Sequence, residues 1–78
     1  MSYFEHRLGD ENIWMVMRDM PDGSRAVSVL DAMRREVTDE RDRTRALVSA
    51  LREESQRRTA LWRALPEEAR RAIREERG

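Results

Sequence analysis

The sequence contains no cysteine and no lysine, and its only histidine is His6. Without cysteine, the chain can form neither a disulfide nor a thiolate metal site. A single histidine also excludes a histidine-rich metal centre within one chain. The three glycines are scattered, so there is no glycine-rich loop to bind a phosphate. We therefore expect neither a metal nor a cofactor.

Apolar residues are also scarce. They make up 38% of the 78 residues, whereas charged residues make up 41%, against about 25% in an average domain. No apolar run approaches the ~20 residues that span a bilayer, and the N-terminal region lacks the apolar run of a secretory signal. We expect a cytoplasmic chain that folds as one small domain over residues 1–78. A core this thin often needs a partner subunit.

The first thirty residues are typical of short strands. Residues 3–8 alternate between apolar and polar side chains, and residues 13–17 are apolar at every position. Such a run indicates a strand that is covered on both faces. Turn signals separate these segments at 9–12 and at 21–24, where Pro-Asp-Gly-Ser is the clearest. The pattern predicts an antiparallel three-stranded meander over about 3–29 with 13–19 in the middle. A two-stranded hairpin is the alternative.

The rest of the chain is typical of helices. It lacks internal glycine, and Ser28 with Asp31 resembles a capping box. The pattern predicts a long amphipathic helix over about 30–64, which would be ~50 Å in length. Pro66 begins a second helix over about 66–77. The fold class is therefore α+β, mostly α. The charged tract 38–45 leaves two alternatives, a continuous helix, which we favour, or a break between two shorter helices.

Spacings of three and four residues place the long helix's apolar residues on one seam, as in a coiled coil. The seam and the short sheet together have too little apolar surface to cover each other. We therefore predict a homodimer. The predicted dimer interface consists of Trp14, Val16, Leu30, Met33, Val37, Leu47 and Leu51.

Catalytic residue patterns are missing. His6 lies among strand-like residues with no serine or cysteine nucleophile placed to use it, and we interpret it as a surface or partly buried residue. The acidic pairs at 53–54, 67–68 and 75–76 alternate with arginines, which is typical of solvated helix surfaces. We therefore do not expect an enzyme.

The favoured hypothesis is a non-catalytic interaction protein whose C-terminal helices bind a partner protein. Trp62 either covers the joint between the two helices or anchors this partner. The predicted partner-binding residues are Leu61, Trp62, Leu65, Ala69 and Ile73.

A small DNA-binding regulator or antitoxin-like protein is the first alternative. Its sheet would use the outward basic residues Arg7, Arg18 and Arg25. The balance of 16 basic and 16 acidic residues makes nucleic acid a less favoured partner. A phage structural or assembly adaptor is the weaker alternative.

Overall fold

The computed structural model describes residues 3–9, 12–54 and 56–77. It has three antiparallel strands followed by three helices. The strands are β1 (Tyr3–Arg7), β2 (Trp14–Asp19) and β3 (Arg25–Leu30). The helices are α1 (Glu40–Glu53), α2 (Arg58–Ala64) and α3 (Glu67–Arg77).

The sheet has the strand order β1-β2-β3, which confirms the predicted meander and its central strand. The turn between β2 and β3 follows from its residues. Gly23 has a φ of +88°, a conformation that glycine adopts without a steric penalty. The carboxylate of Asp22 accepts hydrogen bonds from both the backbone N–H and the hydroxyl of Ser24. Of the predicted turn at 9–12, Asp10 and Glu11 lie outside the described residues.

The predicted helix over 30–64 is wrong at its start. Ser28 lies in β3, and Asp31 closes a tight loop instead of capping a helix. Its carboxylate accepts hydrogen bonds from the backbone N–H groups of Met33 and Arg35, a local alternative that competes with the helical backbone. Within this loop Arg34 has a φ of +63°, which is incompatible with an α-helix.

Helix α1 begins only after Asp39, whose carboxylate accepts a hydrogen bond from the backbone N–H of Asp42 at 3.0 Å. The charged tract 38–45 is therefore the beginning of a helix. It is neither a break nor the middle of a longer helix.

A second interruption separates α1 from α2. Glu54 has extended backbone angles, and the guanidinium of Arg58 donates a hydrogen bond to the carbonyl oxygen of Leu51 at the end of α1. The bend lets α2 fold back towards β3, which a straight helix of ~50 Å could not do. The chain measures 36 × 30 × 22 Å, so it has no room for such a helix.

The hydrophobic core lies between one face of the sheet and the helices. Its buried members are Leu8, Met15, Met17, Val29, Ala46, Leu47, Ala50, Leu51, Leu61 and Leu65. One chain therefore builds a core without a second copy. No helix in the described part of the chain is long and apolar enough to cross a membrane.

Candidate interaction surfaces

The two faces of the sheet differ because successive side chains of a strand point to opposite faces. The inner face carries Phe4, His6, Met15, Met17, Val27 and Val29, most of which belong to the core or pack against it. The open face carries Tyr3, Glu5, Arg7, Trp14, Val16, Arg18, Ala26, Ser28 and Leu30. In residues 3–9, 12–54 and 56–77, the helices pack against the inner face and none of them covers the open face.

The centre of the open face is apolar. The register places Trp14 beside Leu30, and Val16 is the next open-face residue along β2. Val16 is only 6% exposed and lies outside the core cluster. Tyr3, at one corner, is 57% exposed. The all-apolar run at 13–17 therefore has only one of its two faces covered by helices.

Arg34 reaches back from the loop after β3 and crosses the open face. Its guanidinium lies 4.9 Å from the ring centroid of Trp14, a cation–π geometry. It also pairs with the carboxylate of Glu5 on β1 at 2.8 Å. The loop is held by Asp31, whose pKa is lowered chiefly by the hydrogen bond from the backbone N–H of Arg35. Arg34 thus partly covers the aromatic ring of the central strand.

The open face carries more positive than negative charge. Arg7 and Arg18 are exposed, and neither has an acidic partner within the described part of the chain. Arg25 is the third arginine that was predicted to point outward. Alternation along β3 places it on the same side as the inner-face residues, and it pairs with Asp19 at 3.1 Å. Together with Arg34, the described part of the open face has three arginines and two carboxylates. These are Glu5 and Glu36, which pairs with Leu30 in an antiparallel bridge and therefore shares its face.

A second surface lies between the helices. Trp62 and Ile73 line a groove of about 340 Å³ whose floor includes Leu51. The guanidinium of Arg74 lies 5.8 Å from the ring centroid of Trp62 and pairs with Glu67 at 2.8 Å. That hydrogen bond from Arg74 is the main cause of the lowered pKa of Glu67. Trp62 therefore lies at the joint between α2 and α3, as in the first of the two interpretations given for it above.

The structure divides the predicted partner-binding residues between the core and the surface. Leu61 and Leu65 are 0% and 2% exposed in the chain's own core, so a partner cannot contact them without displacing that core. Trp62, Ala69 and Ile73 are partly buried and pack against the core's edge. Only these three remain accessible to a partner.

The predicted dimer residues are divided in a similar way. Leu47 and Leu51 lie in the core, and Val37 packs against it. Three others, Trp14, Val16 and Leu30, lie together on the open face. Met33 is 70% exposed in the loop that also contains Arg34. The homodimer itself stays a prediction.

The single histidine has a structural partner. His6 Nε2 lies 3.3 Å from Glu53 Oε1, and the same oxygen accepts a hydrogen bond from the backbone N–H of Gly9 at 3.1 Å. These contacts connect the first strand and its following turn to the end of α1. Among the described residues, no three histidine, aspartate or glutamate side chains form a group able to hold a metal ion.

Sequence reasoning found the apolar centre of the open face but missed its polar surroundings. Arg34 looked like one more helix-surface residue because its loop was predicted to be helical. Tyr3 and Glu5 were placed on one face by alternation, but that face could not be identified as the uncovered one. The chain matches no protein-family model, no curated protein sequence and no solved structure.

Proposed function

We propose that this chain is a non-catalytic protein-interaction domain that binds another protein through the open face of its sheet. One observation carries the proposal, namely that β2 is apolar on both faces while the helices cover only the inner one. Antiparallel sheets with one solvated face normally present polar side chains there. Here the central strand places Trp14 and Val16 on that face instead, with Trp14 half-buried beneath Arg34 and Val16 only 6% exposed.

The residue types on the open face also support binding. Tryptophan, tyrosine and arginine dominate the energetics of protein interfaces, and this face has Tyr3, Trp14 and three arginines. Its apolar centre with a charged surround resembles the usual anatomy of an interface.

The helical groove is the competing surface because it contains the other tryptophan. The two tryptophans therefore provide matched variants, Trp14→Ala on the open face and Trp62→Ala in the groove. Both residues are partly buried, and each lies below an arginine.

The test is panning of a displayed library of protein fragments against the wild-type chain and both variants. Circular dichroism first confirms that each variant is folded. We expect Trp14→Ala to lose the fragments that the wild type enriches, and Trp62→Ala to retain them. The opposite result would assign binding to the C-terminal helices, and retention by both variants would refute both surfaces.

The DNA-binding alternative has less support. Of its three proposed contacts, only Arg7 and Arg18 lie on the open face. Arg25 belongs to the other face by strand alternation and pairs with Asp19. A salt-dependent electrophoretic shift that requires these two arginines would favour it.

A further inference from the structure

We infer that a second copy of this chain docks on the outer edge of β1, so that two three-stranded sheets join into one continuous sheet. The two β1 strands run antiparallel across a two-fold axis, and Glu5 of each copy lies opposite the partner's Arg7. The inference goes beyond the proposed function, because it concerns the backbone edge of the sheet and not the apolar centre of its open face.

The outer edge of β1 consists of backbone groups that have no partner in the described part of the chain. Leu8 donates its N–H to the carbonyl oxygen of Ile13, so the even-numbered residues of β1 form the hydrogen-bonded pairs with β2. The N–H and C=O groups of Tyr3, Glu5 and Arg7 therefore point away from β2. Among the described residues, no group donates a hydrogen bond to them or accepts one from them. Such a row of unpaired groups is a template for another strand.

The opposite edge of the sheet is already occupied. Val37 donates its N–H to the carbonyl oxygen of Val29, and the guanidinium of Arg43 donates a hydrogen bond to the carbonyl oxygen of Val27 at 2.8 Å. These two bonds use the outward carbonyls in the middle of β3. The helices contact β2 and β3 more than β1, so their packing leaves the outer edge of β1 accessible. Of the two edges, β1 is therefore the one that can accept a further strand.

The charges of β1 select a second copy as the occupant. Glu5 and Arg7 are two residues apart and lie on the same face of the sheet. When two β1 strands pair antiparallel about His6, each Glu5 lies opposite the partner's Arg7. Residues that both have outward backbone groups exchange two backbone hydrogen bonds, and opposite charges at such positions stabilise the pairing. Pairing about Glu5 would instead place two carboxylates opposite each other, which is destabilising.

Both charged side chains are available for this contact. Arg7 is exposed and has no acidic partner among the described residues. Glu5 pairs with Arg34 at 2.8 Å, but a carboxylate can accept hydrogen bonds from a second guanidinium because it has two oxygens and about four acceptor sites. The partner's Arg7 therefore joins the pair of Glu5 and Arg34 without breaking it.

The symmetry of this pairing leaves the open face uncovered. Residues that lie opposite each other in neighbouring strands are on the same face of a sheet, so the two-fold axis is perpendicular to the sheet. The open faces of the two copies then lie side by side, and the helices of both copies lie on the other side. The dimer therefore presents two adjacent open faces in the same direction.

The test reverses the charges of the edge and measures the Kd of the dimer by sedimentation equilibrium from micromolar to millimolar concentration. Circular dichroism confirms that each variant is folded. Arg7→Glu places glutamates opposite each other in both pairs and should weaken the dimer at least tenfold, and Glu5→Arg should do the same with arginines. An equimolar mixture of the two variants places arginine opposite glutamate in both pairs and should recover the dimer. The control Arg18→Glu makes the same charge change on the neighbouring strand and should alter the Kd less than threefold.

Amide hydrogen exchange locates the contact. The N–H groups of Glu5 and Arg7 point outward in a single chain, so they should exchange rapidly in dilute protein. In the dimer they donate to the partner strand, and their exchange should slow at least tenfold. In Arg7→Glu alone both amides should stay rapid at the concentration that protects them in the wild type.

Four results would overturn the inference. The wild type could have the mass of a single chain throughout the concentration range, its dimer could survive Arg7→Glu unweakened, or the mixed variants could fail to associate. In the fourth, a panned fragment protects the amides of Glu5 and Arg7 in a chain that stays single, which would assign the edge to a strand of another protein. The comparison of Trp14→Ala with Trp62→Ala tests the open face separately, so the failure of this inference and the failure of the proposed function are distinguishable.

Discussion

Leu61 was predicted from the sequence to contact a partner, but in the structure it lies fully buried in the core. Leu61→Ala should therefore destabilise the free chain by about 3 kcal/mol, as buried leucine truncations do. A chain of this size is stable by roughly 4–12 kcal/mol. The melting temperature should fall by about 15 °C, since each kcal/mol corresponds to roughly 4–8 °C in a domain of this size.

Urea titration followed by far-ultraviolet circular dichroism measures this loss. The matched control is Arg63→Ala, which truncates an exposed side chain in the same helix and should cost less than about 0.5 kcal/mol. A loss below about 1 kcal/mol for Leu61→Ala would refute the reasoning. It would show that α2 does not pack on the sheet, and Leu61 would again be a candidate for contact with a partner.

Three further predictions concern the N-cap of α1, the loop held by Asp31 and the mass of the protein in solution. Asp39→Ala removes the N-cap of α1 and should cost about 1 kcal/mol in the same urea titration. The lowered pKa of Asp31 means that its stabilisation of the loop is complete above its ordinary value of 3.8 and is lost as the pH falls through the lowered pKa. An NMR titration of the Arg35 amide should show this change, and Asp31→Asn should abolish it. Light scattering at micromolar concentration should return twice the 9.3 kDa of one chain, because the homodimer is predicted, and the mass of a single chain would refute that prediction.

The strands were predictable because their signals are local. Alternation fixed the face of each residue in β1, and the Pro-Asp-Gly-Ser turn fixed the hairpin between β2 and β3. An all-apolar run also predicts a central strand, which β2 is. None of these signals depends on what packs against the sheet.

The helix boundaries were not predictable in the same way. Asp31 and Asp39 are both suitable N-caps, and only tertiary structure decides between them. Val37 donates its N–H to the carbonyl of Val29, which extends the sheet edge and prevents a helix from starting at 31. The segment 54–57 between α1 and α2 contains neither glycine nor proline, so no local breaker marks the end of α1. Leu61, which follows it, is buried in the core, and no local pattern reveals that burial.

The candidate surface was half predictable for the same reason. Trp14, Val16 and Leu30 were predicted as dimer-interface residues because the helix seam and the short sheet have too little apolar surface to cover each other. Arg34 was missed because its role depends on a loop that brings it back across two strands to Glu5. Such a residue can be assigned to the open face only once the three-dimensional structure is known.

The most direct test of the open face uses the two tryptophan indole N–H signals of a ¹H–¹⁵N NMR spectrum, which Trp62→Phe assigns. A protein fragment enriched in the panning against the wild-type chain is titrated into the chain labelled with ¹⁵N. The account predicts that the Trp14 signal shifts on binding while the Trp62 signal stays in place. A shift of Trp62 with Trp14 unmoved would contradict it and would locate the interaction on the helices.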